Sequence, residues 1–274
     1  MRAIVAEVRE HAIRDYVSGS SSLVVAKRYG VDKGTVLDWL VKAKVDRRSN
    51  SEARRRFCVD ETFFKKIDTE EKAYWLGFLL ADGNVGKTGR ACKARQLRCA
   101  LQIRDRGHLE RLRKALHSSH PIKEKTAFIK KKSYLCCWLV ITSKALVGHL
   151  ETAGWHRFKK RGDTSILENV PSRLKRHLVR GLIDGDGCIH KSKENKLRIM
   201  FVDLHRSVVS WVQNWIMNKA GVMKTKICHP SRAYCFGYTG NIQVPKIIHL
   251  LYSDAGPYLQ RKLSQAFPIY HPRR

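Results

Sequence analysis

Two apolar segments of this chain end in the same dipeptide, Asp-Gly. They read AYWLGFLLADG over residues 73–83 and LVRGLIDGDG over residues 178–187. Similar elements follow the two segments in the same order, which indicates an internal repeat. Each segment has the apolar pattern of a helix, and the glycine after each aspartate can take the left-handed conformation that ends a helix and lets the chain turn sharply into a strand. We therefore predict two related halves, residues 67–160 and 161–274.

The elements that follow each segment define the predicted fold class. The first half continues with a strand at 96–104, a helix at 106–116, strands at 122–129 and 134–141, and a helix at 143–152. The second continues with a strand at 196–202, a helix at 206–220, strands at 224–229 and 234–238, and a helix at 244–252. Polar and apolar residues alternate along the strand at 96–104, as they do in strands with one buried face. The prediction is an α+β fold in which an α-β-β-α-β-β-α unit occurs twice.

The aspartate at the end of each predicted helix suggests chemistry. A carboxylate there lies at the negative end of the helix dipole, where a cation would be favoured by about 0.3–1 kcal/mol. Each helix has two small residues one turn apart, which would let the helices pack backbone to backbone: Gly77 with Ala81, and Gly181 with Gly185. Such packing would bring Asp82 and Asp186 together. Facing carboxylates suit Mg²⁺, and paired metals stabilise the attacking and leaving oxygens of phosphodiester hydrolysis. A single Asp-Gly, in contrast, is typical of an ordinary turn.

The two segments resemble the LAGLIDADG motif of homing endonucleases, in the single-chain form with two motifs. VRGLIDGDG at 179–187 is a specific match, and WLGFLLADG at 75–83 is looser. The resemblance implies that the motif helices form a central interface. It also implies that Asp82 and Asp186 bind Mg²⁺ or Mn²⁺, with Ala81 and Gly185 in the same metal site. Asp184 has no acidic counterpart, because Leu80 occupies that position, and we expect it to be a surface or packing residue at the helix end.

The resemblance also implies catalytic groups outside the motifs. Family members carry a basic residue after the last helix of each repeat, and by position these are Lys159 and Lys262, with Lys160 and Arg261 as alternatives. Either lysine could instead contact only a phosphate. Gln102 and Arg106 are similar to the polar pair that positions water. The second half keeps Arg206 but has Val202 in place of Gln102, so water positioning is expected to be asymmetric.

The charge of the chain indicates a polyanionic partner. It has 54 Lys and Arg against 24 Asp and Glu, a formal net charge of +30. No run of about 18 apolar residues is present, which favours nucleic acid over membrane. Residues 1–12 lack the apolar stretch of a signal peptide, so we expect a cytoplasmic or nucleoid-associated protein with reduced cysteines. Basic strand faces would form a saddle for double-stranded DNA, read in the major groove. The predicted contacts are Arg98, Arg104, Arg106, Arg198 and Arg206.

A separate domain is predicted at residues 1–44. Apolar spacing and capping residues indicate helices at 5–16, 23–29 and 33–44, an arrangement that resembles the helix-turn-helix heads of transposases and resolvases. Its third helix would read DNA through Lys33 and Thr35, or the domain could be a docking module without base contacts. Residues 45–66 form a predicted basic linker, either a solvated tether or a segment along phosphates that includes Arg54, Arg55 and Arg56.

These features together predict a site-specific, divalent-metal-dependent homing endonuclease. It would cleave both strands of double-stranded DNA at a long target site and work as a monomer. Two alternatives remain: an RNA maturase that assists splicing of its host intron RNA, and a DNA-binding regulator that does not cut. Retention of both Asp82 and Asp186 argues against the regulator, because a binding protein gains nothing from paired acids facing phosphate.

Overall fold

The computed structural model describes residues 2–47, 57–87, 95–129, 132–192, 196–253 and 256–266. The chain divides into two compact units, residues 1–57 and 58–274. Residues 58–66, which the sequence assigns to the linker, belong to the second unit. Phe63 and Phe64 are buried in its core at 5% and 3% exposure, so the segment that precedes the first motif helix is itself part of the packed structure.

The described residues of the first unit, 2–47 and 57, form three helices: α1 (Arg2–Val17), α2 (Ser22–Tyr29) and α3 (Lys33–Lys42). The hydroxyl of Ser21 accepts a hydrogen bond from the Val24 amide at 3.2 Å, and the Asp32 carboxylate accepts one from the Gly34 amide at 2.6 Å. Both α2 and α3 therefore begin at side-chain caps. The core of this unit consists of Ala12, Tyr16, Val25, Ala26, Val36 and Leu40.

After residues 58–66, the second unit continues with a motif helix, two pairs of strands with a helix between them, and three more helices. Its elements to residue 168 are α4 (Glu70–Asp82), β1 (Gly83–Lys87), β2 (Arg95–Gln102), α5 (Arg106–Ala115), β3 (Ile122–Ile129), β4 (Lys132–Thr142), α6 (Lys144–Thr152), α7 (Trp155–Arg161) and α8 (Ser165–Glu168). A 3-10 turn at Ile103–Asp105 joins β2 to α5. The Ser143 hydroxyl caps α6 by accepting a hydrogen bond from the Leu146 amide at 3.0 Å.

The rest of the second unit starts with the other motif helix, after a 3-10 turn at Ser172–Leu174. Its elements are α9 (Lys175–Asp186), β5 (Gly187–Lys191), β6 (Leu197–Asp203), α10 (Arg206–Ala220), β7 (Tyr234–Thr239), α11 (Gln243–Tyr252) and α12 (Gln260–Ala266). A strand follows each motif helix directly, but Gly83 and Gly187 are extended, with φ of −82° and −92°, rather than left-handed. Glycine is still needed at both positions, because a Cβ atom would overlap the carbonyl of Leu79 or of Ile183.

Both sheets are antiparallel, which confirms the predicted mixture of helices and antiparallel strands. The first has the order β1-β2-β4-β3 and the second β5-β6-β7. Gly83 pairs with Cys99 in the first sheet and Gly187 pairs with Phe201 in the second. Side chains alternate along β2, where Leu97 and Cys99 are buried. The opposite, open face of β2 carries the polar residues Gln96, Arg98 and Gln102.

The prediction of a strand at 224–229 is wrong. Within residues 196–253, that segment contributes only a single bridge between Cys228 and Cys235. The Gln213 side-chain amide donates hydrogen bonds to both the carbonyl and the hydroxyl of Thr225, each at 2.9 Å, so this carbonyl is satisfied by a helix rather than by a strand. Pro230, two residues after Cys228, has no amide proton to continue a ladder. The second sheet therefore has three strands instead of four.

The two motif helices touch each other through their main chains. A Cβ atom added at Gly77 would overlap the carbonyl of Leu178, and one added at Gly181 would overlap the carbonyl of Tyr74. Only glycine permits this approach. Most residues of α4 and α9 are buried, so the crossing lies within one apolar core shared by both sheets. Among the described helices, none combines the length and apolarity required to cross a membrane.

Candidate active site

The close packing of α4 and α9 continues to their C-terminal ends. A Cβ atom on Gly185 would overlap that of Ala81 and would lie 3.5 Å from the Asp82 carboxylate oxygen Oδ2. Asp82 and Asp186 are the last residues of the two helices. The structure therefore brings together the two aspartates that the sequence singles out, at the point where the helices separate into their sheets.

The surroundings of these two carboxylates disfavour their charged forms. Burial raises the pKa of Asp186 to about 6, and the charge of Asp82 contributes to this shift. Burial also raises the pKa of Asp82, against the opposing charges of Lys262 and Lys159. Neither carboxylate accepts a hydrogen bond from any residue that the structure describes. When two partly buried carboxylates repel each other, a bound cation stabilises their charged forms.

Two lysines approach the ends of the motif helices. The ammonium group of Lys159 donates to the Ala81 carbonyl at 2.9 Å. That of Lys262 donates to four carbonyls of the other helix end, at distances between 2.5 and 3.1 Å: Ile183, Asp184, Gly185 and Gly187. Both lysines occupy the negative end of a helix dipole, where a cation is favoured. Burial lowers the pKa of each ammonium group.

The charges of the two lysines act across the helix pair. Burial lowers the pKa of Lys159, and the charge of Asp186 opposes this shift more strongly than that of any other carboxylate. Asp186 lies on α9, whereas the Lys159 hydrogen bond goes to the Ala81 carbonyl on α4. Conversely, Lys262 is the cation that most strongly counteracts the raised pKa of Asp82. Each lysine therefore binds the main chain of its own half, and the charges of both lysines act on both aspartates. The carbonyls of Ala81 and Gly185, assigned to the metal site by resemblance, both accept hydrogen bonds from these lysines.

A cleft of about 330 Å³ opens beside Asp186. Lys159, Asp203 and His205 line it together with apolar residues that include Val202 and Leu204. One oxygen of Asp203 accepts a hydrogen bond from the His205 amide at 2.7 Å, and burial raises the pKa of its carboxyl group. The charge of Asp203 also contributes to the raised pKa of Asp186.

Asp203 was not predicted from the sequence, and neither was a second carboxylate near Asp82. Asp105 is only 8% exposed and receives the Arg261 guanidinium at 3.1–3.2 Å. Its charge contributes to the raised pKa of Asp82. The two aspartates of the motifs therefore have different neighbours, because Asp105 is paired with an arginine whereas Asp203 faces the cleft. The available signal was an acidic residue at or shortly after the end of the second strand that follows each motif: Asp105 in the turn after β2, and Asp203 at the end of β6.

The other residues predicted for catalysis and DNA binding lie outside this cluster. Gln102 is exposed at the end of β2, and in the described part of the chain no hydrogen bond links it to Asp82 or Asp186. Arg106 forms ion pairs with Glu110 and Glu124, at 3.0 and 2.7 Å. These two carboxylates hold its guanidinium group on the surface of α5.

The remaining predicted DNA contacts occupy accessible positions. Arg98 is half-buried on the open face of β2, and Arg198 is exposed on β6, where it donates to the Thr239 hydroxyl at 3.1 Å. The loop and helix-end residues Arg104 and Arg206 are exposed. In the first unit, Lys33 is exposed and Thr35 is half-buried at the start of α3. Arg54, Arg55 and Arg56 lie outside the described residues.

Asp184 is not a surface residue. It is 1% exposed, and its carboxylate accepts hydrogen bonds from the hydroxyls of Tyr74 and Tyr252 and from the amide of Leu259. A buried carboxylate is tolerated when several donors satisfy it. The sequence could not reveal these donors because they come from three separate parts of the chain.

A divalent cation fits the aspartate pair by charge and by ligand chemistry. Carboxylate and carbonyl oxygens are the ligands of Mg²⁺ in proteins, and Asp82 and Asp186 offer unpaired carboxylate oxygens beside main-chain carbonyls. No group of three or more His, Cys, Asp or Glu side chains with the geometry of a metal cluster is found in the described ranges. Side chains alone would therefore supply fewer than three ligands at one point, a sparse protein shell that Mg²⁺ accepts because it retains several waters.

Comparison with known proteins gives similarity in fold only at a low level. No family model matches the sequence, and no curated protein matches it. Among solved structures, the meganuclease I-AabMI bound to uncleaved DNA is 14% identical, covers 72% of this chain and 90% of its own, and has a TM-score of 0.42. Mesophilic variants of the homing endonuclease I-DmoI are 14% identical, cover 75% and 99%, and have a TM-score of 0.45. The N-terminal LAGLIDADG domain of DUF199/WhiA is 14% identical, covers 80% and 97%, and has a TM-score of 0.42.

Proposed function

We propose that this protein is a site-specific DNA endonuclease that depends on a divalent metal and cleaves both strands of a long double-stranded target. The observation that carries the proposal is the meeting of Asp82 and Asp186 at the ends of two helices in main-chain contact. Burial and mutual repulsion raise the pKa of Asp186. Carboxylates held where their charged forms are disfavoured are characteristic of functional sites rather than of structural ones.

In this proposal, Asp82 and Asp186 hold Mg²⁺ or Mn²⁺, which supplies positive charge to the phosphate oxygens as a phosphodiester is hydrolysed. Lys159 and Lys262 place fixed positive charges beside the same carboxylates. Their hydrogen bonds to helix carbonyls keep these charges in position before DNA binds, and preorganised charge is more effective than charge that must reorganise. The lowered pKa of each lysine also makes it a better proton donor to a leaving oxygen.

The DNA duplex is proposed to lie on the open faces of the two sheets. The open face of the first sheet carries Arg98 on β2 together with Lys123 and Lys125 on β3, because β3 pairs Lys123 with Trp138 and Lys125 with Cys136 on that face. The corresponding face of the second sheet carries Arg198. Both aspartates belong to one chain, so a monomer contains the complete site. The first unit would extend the contact with DNA through α3.

Cleavage of the DNA that flanks the gene's insertion point tests the proposal. The wild-type protein with Mg²⁺ should linearise a plasmid that carries this junction. Asp82→Asn and Asp186→Asn should each slow cleavage by at least about a thousandfold, because a bound metal contributes several kcal/mol to the transition state. Both variants should retain DNA binding in Ca²⁺, and both should lose Mn²⁺ binding measured by calorimetry.

The same preparation separates the alternatives. Binding to the junction without cleavage in Mg²⁺ or Mn²⁺ would contradict the endonuclease and favour a regulator. Acceleration of host-intron splicing, with no DNA cleavage, would instead identify a maturase. Full cleavage by either asparagine variant would show that these aspartates are not the metal ligands.

A further inference from the structure

Asp184 links four separate parts of the second unit. Its oxygen Oδ1 accepts a hydrogen bond from the Tyr252 hydroxyl at 2.7 Å, and Oδ2 accepts one from the Tyr74 hydroxyl at 2.8 Å. Oδ2 also accepts a hydrogen bond from the main-chain amide of Leu259 at 2.7 Å. The last of these contacts holds the residue that immediately precedes α12, so a side chain of motif helix α9 fixes the start of the C-terminal helix.

The segment held by Asp184 carries Lys262. The Lys262 amide donates to the Leu259 carbonyl at 3.0 Å, so the two residues belong to one turn. From that turn the Lys262 ammonium group reaches back into four carbonyls at the end of α9, including those of Asp184 and Gly185. The contact is reciprocal: α9 holds the main chain of α12 through a carboxylate, and α12 holds the main chain of α9 through an ammonium group.

The first half positions its lysine, Lys159, in a different way. Leu80 occupies the position of Asp184, and Lys159 contacts a single carbonyl, that of Ala81. Helix α7, which carries Lys159, is held by the buried rings of Trp155 and Phe158. An apolar anchor therefore positions one lysine, whereas a buried carboxylate positions the other.

We propose that Asp184 is a positioning residue that keeps Lys262 in its carbonyl cage beside Asp82. The placement of Lys262 is a property of the fold and can be measured without DNA. The consequence for cleavage of one particular strand rests on the proposed endonuclease function.

Chemical labelling of lysines tests the placement. Wild-type protein and Asp184→Asn are treated with acetic anhydride in the absence of metal, and modification of each lysine is followed by mass spectrometry. Lys262 should react at least about tenfold faster in the variant, because the amide is uncharged, has one acceptor oxygen in place of two, and turns an NH2 group toward one of the three donors, which loosens the turn that carries Lys262. Lys159 in the same molecules is the internal control, and its rate should stay within about twofold of wild type.

Two further variants separate the role of the Leu259 contact from general support of the core. Tyr252→Phe removes one donor to the same carboxylate but leaves the Leu259 amide bond, so Lys262 should remain protected. Leu259→Pro removes the amide proton itself and should expose Lys262 even if Asp184→Asn fails to fold. An unchanged Lys262 rate would overturn the proposal. Equal acceleration of Lys159 and Lys262 would also overturn it, since Asp184 would then support the whole helix interface.

Strand-resolved cleavage extends the test. A target labelled separately on its two strands is cut by wild type, Lys262→Met, Lys159→Met and Asp184→Asn. Asp184→Asn should slow the strand that Lys262→Met slows and spare the strand that Lys159→Met slows. Equal slowing of both strands would contradict a role through Lys262. If wild-type protein cuts no DNA, the endonuclease proposal fails, and the labelling result still decides the role of Asp184.

Discussion

Gly181 in α9 lies directly against the main-chain carbonyl of Tyr74 in α4. The same relationship holds for Gly77 and the carbonyl of Leu178. The separation between the two helices is therefore set by backbone atoms, which cannot adjust as flexible side chains can. Because Asp82 and Asp186 follow within a few residues, the distance between the two carboxylates depends on these glycines.

Gly181→Ala is expected to destabilise the second unit. The added methyl group would overlap main-chain atoms of α4, and overpacking of a core contact costs roughly 1–3 kcal/mol or more. Gly148→Ala in α6 is the matched control, because a Cβ atom there meets nothing within 4 Å. That variant should be as stable as wild type or up to about 1 kcal/mol more stable, from helix propensity. Denaturant unfolding of both proteins measures the difference, and equal effects would contradict the close approach.

Asp186→Asn is expected to stabilise the metal-free protein at neutral pH. The pKa of Asp186 is raised to about 6 in the folded state from an ordinary value of 3.8. Between these values the folded state binds more protons than the unfolded state, so the free energy of unfolding of wild type falls as pH rises. After allowance for partial exposure, the variant should be more stable by about 1–2 kcal/mol at pH 7.5.

Thermal unfolding without metal, at pH values below 3.8 and at 7.5, checks this prediction. The two proteins should differ least at the lower pH, where the carboxyl group is protonated in both states. Mg²⁺ should raise the midpoint of wild type more than that of the variant, because ligand binding to the folded state adds stability. Equal stability at pH 7.5 would show that the carboxylate is not held at an unfavourable position.

Asp203→Asn is expected to impair cleavage of one strand more than the other. Asp203 faces the cleft beside Asp186 and Lys159, and the corresponding carboxylate near Asp82 is paired with Arg261. Loss of a group next to a metal ligand typically reduces activity by about 10–100-fold. A supercoiled target plasmid should accumulate as the nicked form. Glu168→Gln, which alters an exposed carboxylate on α8, should linearise the plasmid at the wild-type rate.

Deletion of residues 1–44 is expected to weaken DNA binding and shorten the footprint at one end. The second unit contains every proposed active-site residue and has its own core, so cleavage at higher protein concentration should persist. Nuclease protection of the target by full-length and truncated protein measures the effect. Identical footprints would favour the docking-module interpretation of this unit.

The salt dependence of binding tests the role of Arg54, Arg55 and Arg56. Each neutralised phosphate contributes about −0.9 to the slope of log K against log salt concentration, so about ten contacts would give a slope near −9. Replacement of the three arginines by alanine should reduce the slope by roughly two to three units, with little change in the sequence that is cut. An unaltered slope would identify this segment as a solvated tether.

Local sequence patterns predicted most elements of the fold but not their long-range contacts. The helix at Arg206–Ala220 has the predicted bounds because its apolar spacing is regular and Gly221 ends it in the left-handed conformation. The strand expected at 224–229 is not formed because the side chain of Gln213, on a different element, satisfies Thr225. Such competition between elements leaves no local signal in the sequence.

The same distinction applies to the site. The pairing of Asp82 and Asp186 was predicted because small residues, mostly glycine, recur one turn apart in both motif helices. That pattern is local and therefore visible in the sequence. Asp203 was missed because the comparison of the two halves aligned Val202 with Gln102, and in a strand the adjacent residue points to the opposite face. Asp203 continues the inward face of Ile199 and Phe201 and so reaches the cleft. Of the two roles expected for Asp184, surface or packing, the structure shows the buried one, and the sequence could not reveal its three donors because they lie far away in the chain.

The hydrogen bond between Tyr74 and Asp184 joins different residue types from the two halves of this chain, so the halves are not interchangeable at this position. Counting back from each motif aspartate, Tyr74 corresponds to Leu178, and Asp184 corresponds to Leu80. A symmetric homodimer of first halves would bury two phenols opposite leucines, and one of second halves would bury two carboxylates without those phenols. Each pairing would lose this one charge-assisted hydrogen bond, worth about 1.5–3 kcal/mol, while His108 would still contact Tyr74, and Tyr252 and Leu259 would still donate to Asp184. The Tyr74–Asp184 hydrogen bond therefore takes one partner from each half, and a symmetric pairing of either half with a copy of itself would not contain it.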